Sequence, residues 1–297
     1  MTGGFDTVFP APAKINRFLH ITGRRADGYH ELQTVFQFLG LQDDLRFAPL
    51  PPGRFEMHAH AEGALAGDDN LCVQAARMLS GFTGRGFGVR IGLTKRIPVG
   101  GGLGGGSSDA ATTLVALNHL FDLGLSPDEL AQQGLRLGAD VPVFVRGRAA
   151  WAEGVGERLV PVEPDTPWTL LIDPGVSVST ATMFRSDELT RDCPPERIAA
   201  SGYESRHNVF EPLVRRDHPS VDAALAWLAS SGAAARLSGT GGCVFGLFPN
   251  EAAARAAQAV QPEPWRSWVL RLANRSPLCD WHTKSGIEAG AGEVSEK

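Results

Sequence analysis

Six glycines fall within the seven residues 100–106, in the run Pro98-Val99-Gly100-Gly101-Gly102-Leu103-Gly104-Gly105-Gly106-Ser107-Ser108. A segment so poor in side chains lets backbone N–H groups converge on a bulky anion. Before it, Phe87, Val89, Ile91 and Leu93 alternate as on one face of a strand; after it, residues 107–121 are Ala/Leu-rich at helical spacing. Strand, glycine loop and helix in that order aim the helix's free N–H groups and positive dipole end at the loop's guest, and a phosphate fits that role. A P-loop needs Gly-Lys-Ser/Thr at the helix entrance, where this chain has Ser107-Ser108-Asp109. A dinucleotide fingerprint can be laid on Gly100, Gly102 and Gly105, with Asp122 downstream, but Pro98 opens a loop longer than that motif's tight turn. A flexible linker does not account for the strand and helix on either side.

Two ionisable residues stand among apolar neighbours. Lys14, in Pro12-Ala13-Lys14-Ile15-Asn16, begins an apolar strand, where a lysine serves either as an edge gatekeeper or as a buried functional cation. Asp140 lies between Gly138-Ala139 and Val141-Pro142-Val143-Phe144, where it either caps a turn or acts as a carboxylate in a pocket. There, burial would raise its pKa and a nearby lysine would lower it. His58 and His60 share a strand face without an evident third metal ligand, so a solvated strand is expected and no metal site is assigned. Acidic residues near the glycine loop are a better home for Mg²⁺, which needs few protein ligands when phosphates supply oxygens. Tyr29 and Phe184 fall in loop-like stretches, where a flat ring is available to stack on a base. A second glycine cluster, Ser238-Gly239-Thr240-Gly241-Gly242, reads as a tight turn or as further N–H groups for the same anion.

The elements that must position these residues alternate between strand and helix, which predicts an α/β sandwich. Strands are expected over 14–22, 32–41, 44–48, 55–60, 168–172, 243–248 and 268–271, and helices over 70–80, 220–231 and 251–260. Asp69 or Asn70 is placed to cap the helix at 70–80, and Ser126-Pro127-Asp128-Glu129 is a capping box opening a helix that ends near Gly138. Pro161, Pro164 and Pro167 mark a boundary between a domain at 1–160 and a second at 161–284, with a polar tail at 285–297 expected to be disordered. The chain has 297 residues, 43% hydrophobic and 21% charged, and a net charge of −5, which argues against nucleic acid or a membrane as partner. Four scattered cysteines without a CxxC pair, and no signal-like start or membrane-length apolar run, predict a cytoplasmic protein.

Four ordered segments together resemble the GHMP kinase superfamily of small-molecule kinases, and most closely its cytidyl-specific branch. They are Pro12-Ala13-Lys14-Ile15-Asn16, Arg25-Ala26-Asp27-Gly28-Tyr29-His30-Glu31-Leu32-Gln33-Thr34, the run from Pro98 to Ala111, and Leu137-Gly138-Ala139-Asp140-Val141-Pro142-Val143-Phe144. Gly239-Thr240-Gly241-Gly242 resembles the superfamily's third motif. The resemblance implies a ribosomal-protein-S5-like N-terminal half and a ferredoxin-like C-terminal half with the active site between them. It implies ATP-dependent phosphorylation, with Mg²⁺ accompanying ATP, of the 2-hydroxyl of 4-diphosphocytidyl-2-C-methyl-D-erythritol in non-mevalonate isoprenoid biosynthesis. By motif position, Asp140 is the catalytic base and Lys14 its partner. Residues Pro98 to Ser108 cradle the ATP phosphates, with Asn70 and Lys95 near the nucleotide. Tyr29 and Phe184 stack on cytosine, His30 reads its polar edge, and Asn16 and Thr180 lie beside the substrate's polar groups. Val209 stands where relatives often have aspartate, and Ser238 and Gly242 also depart from commoner residues. A kinase for another alcohol and a nucleotide-binding module without catalysis are the remaining readings; the oligomeric state is open between monomer and weak homodimer.

Overall fold

The computed structural model describes residues 6–60, 69–198 and 207–282, with the side chains of residues 59 and 60 left aside. The tail expected at 285–297 lies outside them. Strand β1 (Phe9–Arg24) pairs antiparallel with β2 (His30–Leu50), and the register shifts three times along the pair. The sequence reading divided β2 into two strands at Gln42-Asp43; the structure runs straight through. The carboxylate of Asp43 is satisfied inside the sheet, accepting from the N–H groups of Arg96 (2.5 Å) and Ile97 (2.8 Å) and pairing with Lys95. A satisfied polar group does not have to interrupt a strand.

β3 (Phe55–His60) and β4 (Gly88–Thr94) are parallel and joined by the crossover helix α1 (Leu71–Thr83), while β4 pairs antiparallel with β2. Asn70 caps α1, its Oδ1 accepting from Cys72 N at 2.8 Å, and Gly84 ends it in the left-handed region. Val89, Ile91 and Leu93 bury as their alternation predicts. They face α1 and α2 (Gly105–Leu120), a helix buried at every residue from Ser108 to Asn118, as small and apolar residues all round require. α3 (Pro127–Leu135) opens with the expected capping box of Ser126 and Glu129, and α4 (Val141–Arg146), β5 (Ala150–Glu153) and β6 (Arg158–Pro161) follow.

The remaining elements are β7 (Trp168–Asp173), α5 (Thr180–Arg185), α6 (Glu211–Asp217), α7 (Pro219–Ser230), β8 (Ala234–Leu237), β9 (Val244–Phe248), α8 (Glu251–Ala259), β10 (Arg266–Ala273) and a 3-10 turn, Pro277–Trp281. The short helices α4, α5 and α6 were not anticipated, and α5 carries Phe184, which the sequence had placed in a loop. Strands β10, β7, β9 and β8 lie in that order, all antiparallel, which is the ferredoxin-like split arrangement. β10 also pairs with β2 through Leu272 with Leu39 and Ala273 with Phe38, so ten strands form one sheet. One apolar cluster fills the first half and a second fills the other. A third spans both, with Ala13, Ile15, Leu39 and Ile97 meeting Leu171, Phe245 and Leu272.

The four cysteines are buried and unpaired, and no helix among the described residues is long and apolar enough to cross a membrane. His58 is exposed beside Glu56, the side chain of His60 is not described, and no group of three metal-ligating side chains occurs among the described residues. Removing the α3 cap by Ser126→Ala is expected to lower stability by about 1 kcal/mol, read as a lower urea midpoint at an unchanged slope.

Candidate active site

A cleft of about 510 Å³ lies between the glycine loop, β1 and α5. Its floor begins with Lys14. The register shifts between Pro12 and Lys14 and again between Asn16 and Leu19 re-aim this part of β1, the usual effect of a bulge beside a site. Lys14 and Asn16, two residues apart, share one face, while Ile15 enters the core on the other. The Lys14 side chain is buried. Its Nζ donates to Asn16 Oδ1 (2.7 Å) and to the carbonyl of Gly102 (3.1 Å), and pairs with Asp140 Oδ2 (3.3 Å). Asn16 Nδ2 donates in turn to Thr34 Oγ1 (2.9 Å), which donates to the carbonyl of Phe18. Lys14 is therefore no edge gatekeeper. Asp140 precedes α4 but makes no capping hydrogen bond, so its carboxylate is left to Lys14 and the cleft.

The glycine loop turns its carbonyls and its amides in opposite directions. The carbonyls are taken by the protein: Gly100 by Val178 N–H (3.3 Å), Gly101 by Cys243 N–H (3.1 Å), and Gly102 by Ser238 Oγ (3.0 Å) as well as Lys14. Among the described residues, no backbone N–H from 100 to 107 donates to a protein acceptor. These amides lie at the positive end of a 16-residue helix with no side-chain cap, an arrangement whose free donors and dipole suit an anion. Gly102 has φ +75°, and a Cβ there would lie 2.0 Å from the carbonyl oxygen of Ser238. The second glycine cluster thus lies directly against the first. Asn208 holds it, donating from Nδ2 to the carbonyls of Leu237 (3.0 Å) and Gly239 (2.8 Å). Val209 is buried in the core of that half, and a Cβ at Gly242 would meet the carbonyl of Val176 at 1.9 Å, so the packing accommodates both departures.

The lining of the cleft includes Lys14, Asn16, Asn70, Lys95, Asp140, Thr180 and Phe184, the loop from Pro98 and Val99 through Leu103 to Ser107, and Gly239 and Thr240. Thr180 and Thr240 are hydrogen-bonded through their hydroxyls at 2.9 Å. Ser108 is buried within α2, and Gly241 packs against Leu237 and Val214 behind the cleft. Tyr29 stands at the end of a turn closed by Arg25 N–H donating to its carbonyl (2.7 Å) and by Asp27 Oδ1 accepting from its N–H (3.1 Å); the residue is 65% exposed. His30 lies 5.2 Å from Phe184, centroid to centroid, with the rings tilted by 33°.

Sequence reasoning missed Asp109, Asp43 and Arg191. Lys95 Nζ is clamped between Asp43 Oδ2 (2.6 Å) and Asp109 Oδ2 (2.7 Å). Burial opposes its charge, but the two carboxylates hold its pKa above the usual lysine range. Burial pushes Asp109 up to about 7 against the pull of Lys95, and among the described residues its Oδ1 has no hydrogen-bond partner. Asp109 directly follows the Ser107-Ser108 pair, the one local signal that could have drawn attention to it. Gly102→Ala is expected to force the two glycine loops apart. ATP affinity measured by calorimetry should then fall by tenfold or more, with the circular dichroism spectrum unchanged.

A family model described as the GHMP kinase N-terminal domain matches residues 70–148, and the corresponding C-terminal model matches residues 195–267. A 4-diphosphocytidyl-2-C-methyl-D-erythritol kinase of Halorhodospira halophila is 54% identical over 275 residues, covering 92% of this chain and 95% of the relative. One from Pseudomonas paraeruginosa is 53% identical over 269 residues, covering 91% and 95%. A crystal structure of 4-(cytidine 5'-diphospho)-2C-methyl-D-erythritol kinase superposes with a TM-score of 0.77 at 35% identity, covering 90% of this chain and 99% of that one. With two matching domain models and relatives more than half identical over nearly its full length, this chain belongs to the GHMP kinases and has their two-part fold.

Proposed function

We propose that the protein transfers the γ-phosphoryl group of ATP to the 2-hydroxyl of 4-diphosphocytidyl-2-C-methyl-D-erythritol, giving the 2-phosphate and ADP. The observation that carries this reading is the Lys14–Asp140 pair, at 3.3 Å, on the wall of a cleft lined by unpaired loop amides. Phosphoryl transfer rewards positioning and charge neutralisation more than covalent participation by the protein. The amides of residues 100–107 and the dipole of α2 take the negative charge of the triphosphate. Asp140 accepts the proton of the acceptor hydroxyl as its oxygen bonds to phosphorus and the bond to the ADP oxygen breaks. Lys14, paired with Asp140 at 3.3 Å, holds the carboxylate in place.

In this reading residues 1–160 supply phosphate binding, the base and its lysine, and residues 161–284 close the cleft with Thr180, Phe184 and the second glycine cluster. Tyr29 and Phe184 stack on the cytosine and His30 meets its edge, while Asn16 and Thr180 face the polar groups of the acceptor. Asn70 and Lys95 lie beside the nucleotide. The unpartnered Oδ1 of Asp109, in a side chain lining the cleft, fits a hard cation, as does the neighbouring Ser107 hydroxyl. Mg²⁺ held there with phosphate oxygens would neutralise charge on the leaving group. The four unpaired thiols fit work in the cytoplasm.

ADP release from Mg-ATP is the deciding measurement, with the cytidyl compound, homoserine and mevalonate as parallel acceptors. Stimulation by the cytidyl compound alone is expected; stimulation by another alcohol would remove the substrate, and none by any would remove the reaction. Asp140→Asn is expected to keep ATP binding and to lose about 10²–10⁴-fold in kcat; near-normal turnover would exclude Asp140 as the base.

A further inference from the structure

Arg191 follows α5 in a segment without regular secondary structure, yet all three of its guanidinium nitrogens donate hydrogen bonds. Its Nε donates to His30 Nε2 at 3.0 Å, its NH1 to the carbonyl of Leu189 at 3.1 Å, and its NH2 to the carbonyls of Phe184 (3.1 Å) and Ser186 (2.7 Å). All four acceptors are neutral, and no carboxylate pairs with Arg191 among the described residues. The same side chain therefore ties the end of α5, which carries Phe184, to His30 at the start of β2.

The direction of the bond to His30 has a chemical consequence. Guanidinium has only donors and stays protonated in proteins, so Nε2 of His30 must be the acceptor and cannot carry a proton. A neutral imidazole keeps one ring proton, and here it must sit on Nδ1. Among the described residues, Nδ1 has no partner in the protein. It is a free N–H donor beside the Phe184 ring, 5.2 Å away between centroids. We propose that Arg191 is a positioning residue for the acceptor substrate, fixing His30 as the Nδ1-protonated tautomer and registering it with Phe184, so that the ring presents a donor to a carbonyl oxygen or unprotonated ring nitrogen of the base.

The charged groups acting on His30 reinforce this assignment. Burial lowers its pKa first, then Arg191 from the segment after α5, then Arg24 from the paired position on β1. All three act in the same direction, so the ring stays neutral below the usual histidine pKa. Losing Arg191 removes the second of these causes, so the His30 ring itself must protonate at higher pH in a variant without it.

The inference rests on the substrate reading above, but its first test does not. Long-range ¹H–¹⁵N correlation of ring-labelled histidines in the ligand-free protein, with His30 assigned by its loss in His30→Gln, should show Nδ1 protonated and Nε2 bare. Arg191→Met should return the ring to the Nε2-protonated form that predominates in free histidine. With the kinase, the same variant should raise KM for the cytidyl substrate about tenfold or more and leave KM for ATP within about twofold, while ¹⁵N titration of the ring should show the His30 pKa moved upward. Arg191→Lys, which keeps one donor and the charge, should recover part of each effect. An Nε2-protonated His30 in the wild type overturns the proposal, with no need for a variant to fold. So does an Arg191→Met enzyme whose tautomer and His30 titration are unchanged, whatever its KM. A wild type that does not turn over the cytidyl compound would fail the substrate reading while the tautomer measurement still decides the role of Arg191.

Discussion

The ammonium of Lys14 is the fixed point from which the rest of the site is measured. Buried charge is expensive unless every polar contact is made, and removing one partner of such a group is strongly destabilising. An ammonium has three protons, and three acceptors surround this one: Asn16 Oδ1, the Gly102 carbonyl and Asp140 Oδ2. They come from β1, the glycine loop and the residue before α4. Satisfying one nitrogen therefore sets a strand, a loop and a helix in mutual register, and the bulges of β1 turn the nitrogen toward all three.

The same economy appears in the glycine loop. A peptide plane has two polar edges, and when one edge is engaged the other must face away. The carbonyls of Gly100, Gly101 and Gly102 are engaged by Val178, Cys243 and Ser238, all from the second half of the chain. The amides are thereby left to the cleft. The second half thus braces the loop from behind, and the shared apolar cluster of Ile97, Leu171 and Phe245 packs the two halves together.

What the sequence made legible follows from how local each signal was. The strand at 87–93, the glycine loop, the helix after it, the Asn70 cap and the Ser126 capping box depend on residues a few positions apart, and the structure has them all. Asp43 was read as an interruption because its partners, Lys95, Arg96 and Ile97, are about fifty residues away. Phe184 was placed in a loop because α5 is too short to display a helical period. Arg191 gave no signal at all, since its meaning depends on a ring 161 positions earlier. Lys14 and Asp140 were visible as oddities in apolar surroundings, but only the fold brings them together.

β10 carries an implication for the order in which the molecule can be built. It occupies the middle of the sheet, between β2 and β7, yet it is the last strand of the described chain. During synthesis, every other strand emerges before the one that joins them. The first-half hairpin waits with an unpaired edge at Phe38 and Leu39, and β7 waits with its own. The nascent chain therefore has two partly finished sheets whose strands are not joined until residues 266–273 arrive. Their arrival seals both edges at once. The sheet that carries both halves of the cleft is thus continuous only once its final strand is in place.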